Sequence, residues 1–341
     1  MNVQDDFTRF QQHHLPIANP QLPLPIQSAE IVDAKALQRA EGGMQELDEG
    51  VCSYVAAALA QNSRRAYRGD LEDFHGWGGT VPCSPGTLAA YVADRARIHS
   101  PHTITRRVVG ISRAHASQDL PDPAKSDLVR VVLRGVRKAH GRPQRQAAPL
   151  LKQDLLSLLP LMRGIKGIRD RALILLGFAA ALRRSEIVAL DRSDIEFVAE
   201  GMVILLRRSK TDQEGQGRRI AVPYGRTSAC PVKAVQHWLA AASMESGPLF
   251  RFVTKAGSIG DGRLTSQSVN LVVKCYVRAV GLDSACYSGH SLRSGLATSA
   301  AQAGVPIHRI MMQTGHRSAE TLARYVREAN LFENNAAGMV L

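Results

Sequence analysis

The stretch GRPQRQAAPLL at 141–151 constrains this chain most: two prolines, no strong periodicity and added basic charge read as an interdomain linker. It divides 341 residues into two pieces, each long enough to bury a core. The piece before it turns helical from about Val51. Tyr54, Val55, Ala58 and Leu59 share one face, and Tyr67, Leu71, Phe74 and Trp77 line a second helix, with Asn62 or Ser63 as the expected N-cap. VPCSPG at 81–86 interrupts the pattern before a helix over Thr87–Ala96, with Leu88, Tyr91 and Val92 as its apolar positions. Another follows from Pro101, bearing Arg106, Arg107 and Arg113 alongside Ile104, Val108 and Ile111. The last runs to about His140, with Val131, Val132 and Val136 expected inward and Arg130, Arg134, Arg137 and Lys138 outward.

The second piece begins near Lys152. Helices are expected over Asp154–Met162 and Ile168–Leu182, then alternating, β-branched strands at MVILLRR (202–208) and RRIAVP (218–223) around the turn-rich SKTDQEGQG, then mostly helix to Val326. The expected fold is therefore mainly α with a small β-sheet. The first fifty residues, with HHLPIANPQLPLPIQ, read as a weakly ordered leader, with room for a short helix near Asp33–Arg39.

Charge separates these regions. The leader holds three bases against eight acids, residues 51–150 hold fifteen against seven, and residues 151–341 hold twenty-five against fifteen, for a net +13. Arginine outnumbers lysine, and its planar fork suits phosphate and guanine edges, so nucleic acid is the expected partner and membrane is not. The longest apolar stretch, around Ala172–Leu182, falls short of a membrane span and is closed by Arg183 and Arg184. No secretory signal is read in MNVQDDFTRF. Cys52, Cys83, Cys230, Cys275 and Cys286 form no CxxC pair and no zinc-ligand spacing, which points to a reducing cytoplasm.

Three dense segments carry the chemistry: AALRRSEIVAL (180–190), SGHSLRSGLATSAAQAGV (288–305) and TGHRSAETLARYVRE (314–328). Arg183 and Glu186, three apart, would share one helix face, the carboxylate able to orient the arginine; Arg184 competes for that role. His290 and Arg293, also three apart, can face one phosphate. His316 precedes a helix with Ser318 as its expected cap and Tyr325 two turns inside it. Lys210, the only lysine between Gly167 and Val232, sits in the hairpin RRSKTDQEG. Each residue alone has an ordinary structural reading: a surface ion pair, a solubilising edge lysine, a helix-capping histidine, a half-buried core tyrosine.

In this order and these contexts the residues resemble the catalytic box of the tyrosine recombinase (phage integrase) family, and the chain's ending looks most like the Cre recombinase branch. The resemblance implies a two-domain clamp on DNA: a helical core-binding domain over 51–140, the linker at 141–151, a catalytic domain over 152–330, and a tail at 331–341 that docks on a neighbouring protomer. It implies that Arg183, Glu186, His290, Arg293 and His316 grip a scissile phosphate, that Lys210 protonates the departing 5′ oxygen, and that Tyr325 is the nucleophile of a covalent 3′-phosphotyrosine. Neither metal nor ATP is implied, and no GxxxxGK[ST] loop is found. PHTITRRVVGISRAH stands where a family helix lies in the major groove, making Arg106, Arg107 and Arg113 candidate DNA contacts, to bases or to phosphates. The implied partner is double-stranded DNA with inverted half-sites, bound by a dimer and synapsed by a tetramer. A type IB topoisomerase, a telomere resolvase, or a noncatalytic DNA-binding protein of integrase fold are the alternatives.

Overall fold

A computed structural model describes residues 61–142, 146–207, 217–316, 318–320 and 322. The expected leader, the first helix of the 51–140 region and the 331–341 tail lie outside them, as do Lys210 and Tyr325. The chain forms two compact units that divide between Gln144 and Arg145, inside the proline-bearing stretch.

The first unit is helical: α1 (Gln61–Gly76), α2 (Pro85–Arg95), α3 (Pro101–Ala116) and α4 (Asp127–His140). Serines open three of these. The Oγ atoms of Ser84, Ser100 and Ser126 accept the amides of Thr87, Thr103 and Val129, and Pro85 and Pro101 occupy first-turn positions where no amide is needed. Leu71, Phe74, Leu88, Tyr91, Val92, Ile104, Ile111 and Val129 pack into one core. The sequence expectation differs from the structure at two points. Asn62 and Ser63 lie within α1 rather than capping it. Val131 is 57% exposed, because the inward stripe of α4 runs through Val129, Val132, Leu133 and Val136 at helical spacing and leaves 131 to the side.

The second unit is organised around α6 (Gly164–Ala179), in which Ala172, Leu173, Ile174, Leu175 and Leu176 are all buried. Five consecutive apolar residues buried on all sides place this half of the helix inside the core. No helix among the described residues is long and apolar enough to cross a membrane. Around α6 stand α5 (Lys152–Leu158, extended by a 3₁₀ turn over Leu159–Leu161), α7 (Arg184–Ala189), α8 (Pro231–Ala241), α9 (Ser266–Ala279), α10 (His290–Gln302) and α11 (Ile307–Thr314). An antiparallel sheet runs β1 (Ile195–Val198), β2 (Gly201–Leu206), β3 (Arg218–Pro223). Its register pairs Ile195 with Ile204 and Ile204 with Ile220, so all three isoleucines face the core. β4 (Arg251–Val253) and β5 (Ile259–Arg263) form a second hairpin. The sequence pattern located β2 and β3. It missed β1, which is four residues long, β4, which is three, and β5, whose IGDGR has too few β-formers to signal a strand.

α6 also stops three residues before the expected Leu182. Ala181 takes a left-handed φ of 51°, while Ala181 N donates to Phe178 O and Leu182 N to Gly177 O, both at 3.0 Å. Such a closure normally uses glycine, and a Cβ there costs about 1 kcal/mol. The turn brings the chain out at Arg183. On the other side, Leu150 N donates to Ser291 O at 2.9 Å, drawing the segment that enters the unit so close to α10 that a Cβ at Gly295 would run into the Leu150 carbonyl. Gly295→Ala is therefore expected to destabilise the second unit by about 1–3 kcal/mol, seen as a lower urea midpoint. An unchanged midpoint would show that α10 and Leu150 can separate without cost.

Candidate functional site

Arg183 is the N-cap residue of α7 rather than a member of a helix face, and Glu186 is the third residue of that helix. One carboxylate therefore holds the arginine twice. Arg183 N donates to Glu186 Oε2 at 2.8 Å, and Arg183 Nη1 donates to Oε1 at 2.6 Å. Glu186 is only 4% exposed, so the pair is short, charge-assisted and shielded from water, and the guanidinium is fixed in direction. Arg184, one position on, is exposed.

His290 and Arg293 come from the first turn of α10. The entry to that turn is tied down on several sides: Gly289 N donates to Asn270 Oδ1 at 2.8 Å, Ser288 N to Ser291 Oγ at 2.9 Å, and His290 N to Ser288 Oγ at 3.2 Å. Arg293 is 1% exposed, and its Nη1 donates to the carbonyl of Ala181 at 2.8 Å. A guanidinium so buried is tolerated only where oriented dipoles replace water. Here the strained turn before Arg183 supplies one through the Ala181 carbonyl, so the turn that leads into Arg183 also holds Arg293.

His316 enters from a third direction. α11 ends at Gly315, whose φ of 67° a side chain would resist. Burial, with Arg293, Arg183, His290 and Arg218 acting in the same direction, depresses the imidazole of His316 to about 4. His290 is likewise lowered, first by burial and then by Arg293 and Arg183. The two histidines are thus neutral and sit in the field of the same arginines. Beyond them, Ser318 Oγ accepts the amide of Glu320 at 3.2 Å, as expected of a cap. Five of the seven residues singled out in the sequence converge; Lys210 and Tyr325 lie outside the described residues.

Arg218 is a member that sequence reasoning did not single out. It opens β3, and its Nη1 donates to the carbonyls of Met312 (3.3 Å) and Gln313 (3.4 Å) at the end of α11. Its guanidinium packs where a Cβ at Gly315 would stand. Burial lowers its pKa, Glu186 opposes that shift and Arg183 adds to it. The available signal was its place in RRIAVP, directly after the hairpin that holds Lys210. Asn270, which anchors Gly289, gave no sequence signal. Among the described residues no group of three His, Cys, Asp or Glu is placed to hold a metal ion.

The three arginines proposed to meet DNA differ in availability. Arg107 has a side chain 10% exposed, with Nη1 donating to Asp73 and Nε 3.8 Å from Asp70. Arg106 Nη1 donates to Asp70 at 2.7 Å. The two aspartates on α1 hold the Arg107 guanidinium inside the unit, which disfavours it as a DNA contact, whereas the Arg106 side chain, paired to Asp70, stays 39% exposed. Arg113 lies over the Tyr67 ring at 5.4 Å.

The sequence profile of the Phage integrase family matches residues 150–331. An integrase/recombinase xerD homolog of Selenomonas ruminantium is 40% identical over 288 residues, covering 81% of this chain and 84% of that protein. Recombinase cre of Escherichia phage P1 is 27% identical over 267 residues, covering 72% and 76%, and is the more distant of the two. In three dimensions the chain resembles XerH site-specific recombinase bound to palindromic difH substrate, with a TM-score of 0.59, 18% identity, and coverage of 90% of this chain and 86% of that one. That structural likeness speaks to the fold. With the profile spanning more than half of the chain and the 40% relative spanning most of it, the chain belongs to the phage integrase family of site-specific tyrosine recombinases, which cleave and rejoin DNA.

Proposed function

We propose that the protein recombines DNA through a 3′-phosphotyrosine at Tyr325, with Arg183 and Arg293 binding the nonbridging oxygens of the scissile phosphate. The observation that carries this reading is the convergence of Arg183, Glu186, His290, Arg293 and His316 from three segments far apart in sequence. Among the described residues around them the arginines outnumber the one carboxylate, Glu186, an excess of positive charge that a phosphodiester would neutralise. As the phosphorus becomes pentacoordinate its oxygens gain negative charge, and preoriented guanidiniums stabilise that charge without reorganising. In this reading they supply the charge that a metal ion supplies in other phosphoryl-transfer sites, and the retained diester energy makes ATP unnecessary.

Phenolate attack breaks the bond to the 5′ oxygen, to which Lys210 gives a proton. A 5′-hydroxyl from a partner strand reverses the step. Two protomers on inverted half-sites and a tetramer in synapsis fit this reversibility, because each cut end needs a second end to receive it. For the branch, the greater identity to the xerD homolog than to cre favours a Xer-like assignment over the Cre-like one suggested by the ending. The action on DNA places it in the cytoplasm.

Incubating the full chain with sheared genomic DNA of its source, then denaturing and digesting it, should yield a Tyr325 peptide carrying a nucleotide by mass spectrometry. Tyr325→Phe should yield none while still binding DNA; a covalent adduct on that variant would sink the assignment. Glu186→Gln should loosen Arg183, slow adduct formation and lower the unfolding free energy by about 1.5–3 kcal/mol, read by urea denaturation. The histidines add a pH signature. Folded His316 stays neutral down to about 4, whereas its ordinary value is 6.5. Between these values the unfolded chain binds the extra proton, so stability falls as pH drops through that window and is level above it. His316→Gln should flatten the slope of the urea midpoint there, and a slope unchanged by the substitution would contradict the burial of a neutral imidazole.

A further inference from the structure

Gln313 is the next-to-last residue of α11, three positions before His316, and its side chain reaches two other elements. Nε2 donates to the carbonyl of Ala179 at 2.8 Å and to that of Ala221 at 3.4 Å. Carbonyls only accept, so the amide nitrogen has to face them and the amide oxygen cannot take its place. Ala179 is the last residue of α6, and Ala221 lies on β3, at the edge of its sheet. The main chain of the same residue is held as well, since Arg218, also on β3, donates to the Gln313 carbonyl at 3.4 Å.

The end of α6 explains why a side chain is wanted there. A helix leaves its last carbonyls without partners from its own turns. In the turn through Ala181 the backbone meets part of that need: Ala180 N donates to Leu176 O, Leu182 N to Gly177 O and Ala181 N to Phe178 O, each at 3.0 Å. Side chains from distant segments take two of the carbonyls that follow. Gln313 of α11 takes that of Ala179, and Arg293 of α10 takes that of Ala181 at 2.8 Å. Two separate helices thus grip the turn that leads into Arg183, at carbonyls two residues apart.

We propose that Gln313 is a positioning residue, registering the end of α11, and with it His316, against the turn that sets Arg183 and Arg293; this rests on the reading of His316 as a member of the phosphate site. The other contacts of α11 do not supply that register. Ala297, Ala301 and Ile310 pack α11 on α10, but apolar packing is non-directional and leaves a short helix able to slide or roll. Arg218 ties Met312 and Gln313 to β3 and does not reach α6. The Gln313 amide alone among these joins the last turn of α11 to α6. His316 follows directly, and the charges that act on its ring are those of Arg293, Arg183, His290 and Arg218.

The test compares Gln313→Met, which keeps the length of the side chain and removes the donor, with Gln313→Lys, which restores a donor of similar reach. In the full chain labelled with ¹⁵N-histidine, His316 is identified by the signals lost in His316→Gln. The wild-type ring should stay uncharged between about pH 7 and 5, above its value of about 4. In Gln313→Met its midpoint should rise into that window, because a loosened ring is less buried and farther from the arginines. In covalent trapping on sheared genomic DNA, Gln313→Met should lose about 10²-fold in adduct rate, the cost of a displacement of about 1 Å, with retention of DNA on a filter unchanged. Gln313→Lys should recover most of that rate. An unmoved His316 titration in Gln313→Met, or a wild-type adduct rate, would overturn the proposal even if the urea midpoint fell, since Gln313 would then serve stability alone. A wild-type rate in His316→Gln would instead overturn the place of His316 in the phosphate site. Absence of any adduct from the wild type would overturn the recombinase reading, while the titration still decides whether Gln313 sets the ring.

Discussion

The donation from buried Arg293 to the carbonyl of Ala181 is the contact on which the site depends. It ties the first turn of α10 to the turn that ends α6, across 112 positions of sequence. Removing a guanidinium from water is expensive unless fixed dipoles take its place, and the left-handed Ala181 aims one at it. The same turn delivers Arg183 to the N-cap of α7, where Glu186 fixes it through backbone and side chain together. A modest backbone strain thus aligns two guanidiniums from separate segments without either having to search for its place.

The remaining members follow from that pair. α10 is seated by Asn270, Ser288 and Leu150, so His290 starts the helix in a set direction. Arg218 seats the carbonyl end of α11, where a cation is favoured by the helix dipole, and packs against Gly315 before the chain turns into His316. The arginines and burial keep both histidines neutral. The free protein is therefore poised with positive charge in excess and two uncharged imidazoles, a state that an entering phosphate would complete.

Much of this was legible in the sequence. The helical periodicity of 61–140 and strands β2 and β3 follow from spacing and local context, and the grouping of Arg183, Glu186, His290, Arg293 and His316 from the resemblance to the family's catalytic box. What the sequence hid depends on tertiary contact. The turn at Ala181 looked like continued helix because alanine and leucine favour one, and nothing local marks a left-handed alanine. Arg183 became an N-cap for the same reason. Val131 looked inward because apolar character does not reveal which of four neighbouring hydrophobic positions the core selects. Arg107 looked available to DNA because its aspartate partners stand more than thirty residues away in sequence. Arg218 sat unmarked in a strand, since only the fold brings α11 beside it.

The central claim is that Arg183 and Arg293 form a receptor for one scissile phosphate. A crystal structure of the full chain trapped on a nicked duplex carrying its own site tests it most directly. The account predicts a phosphate bonded to Tyr325 Oη, with both guanidiniums within hydrogen-bond distance of its nonbridging oxygens and the Arg293 bond to Ala181 kept. A trapped phosphate that leaves either arginine without contact would contradict it.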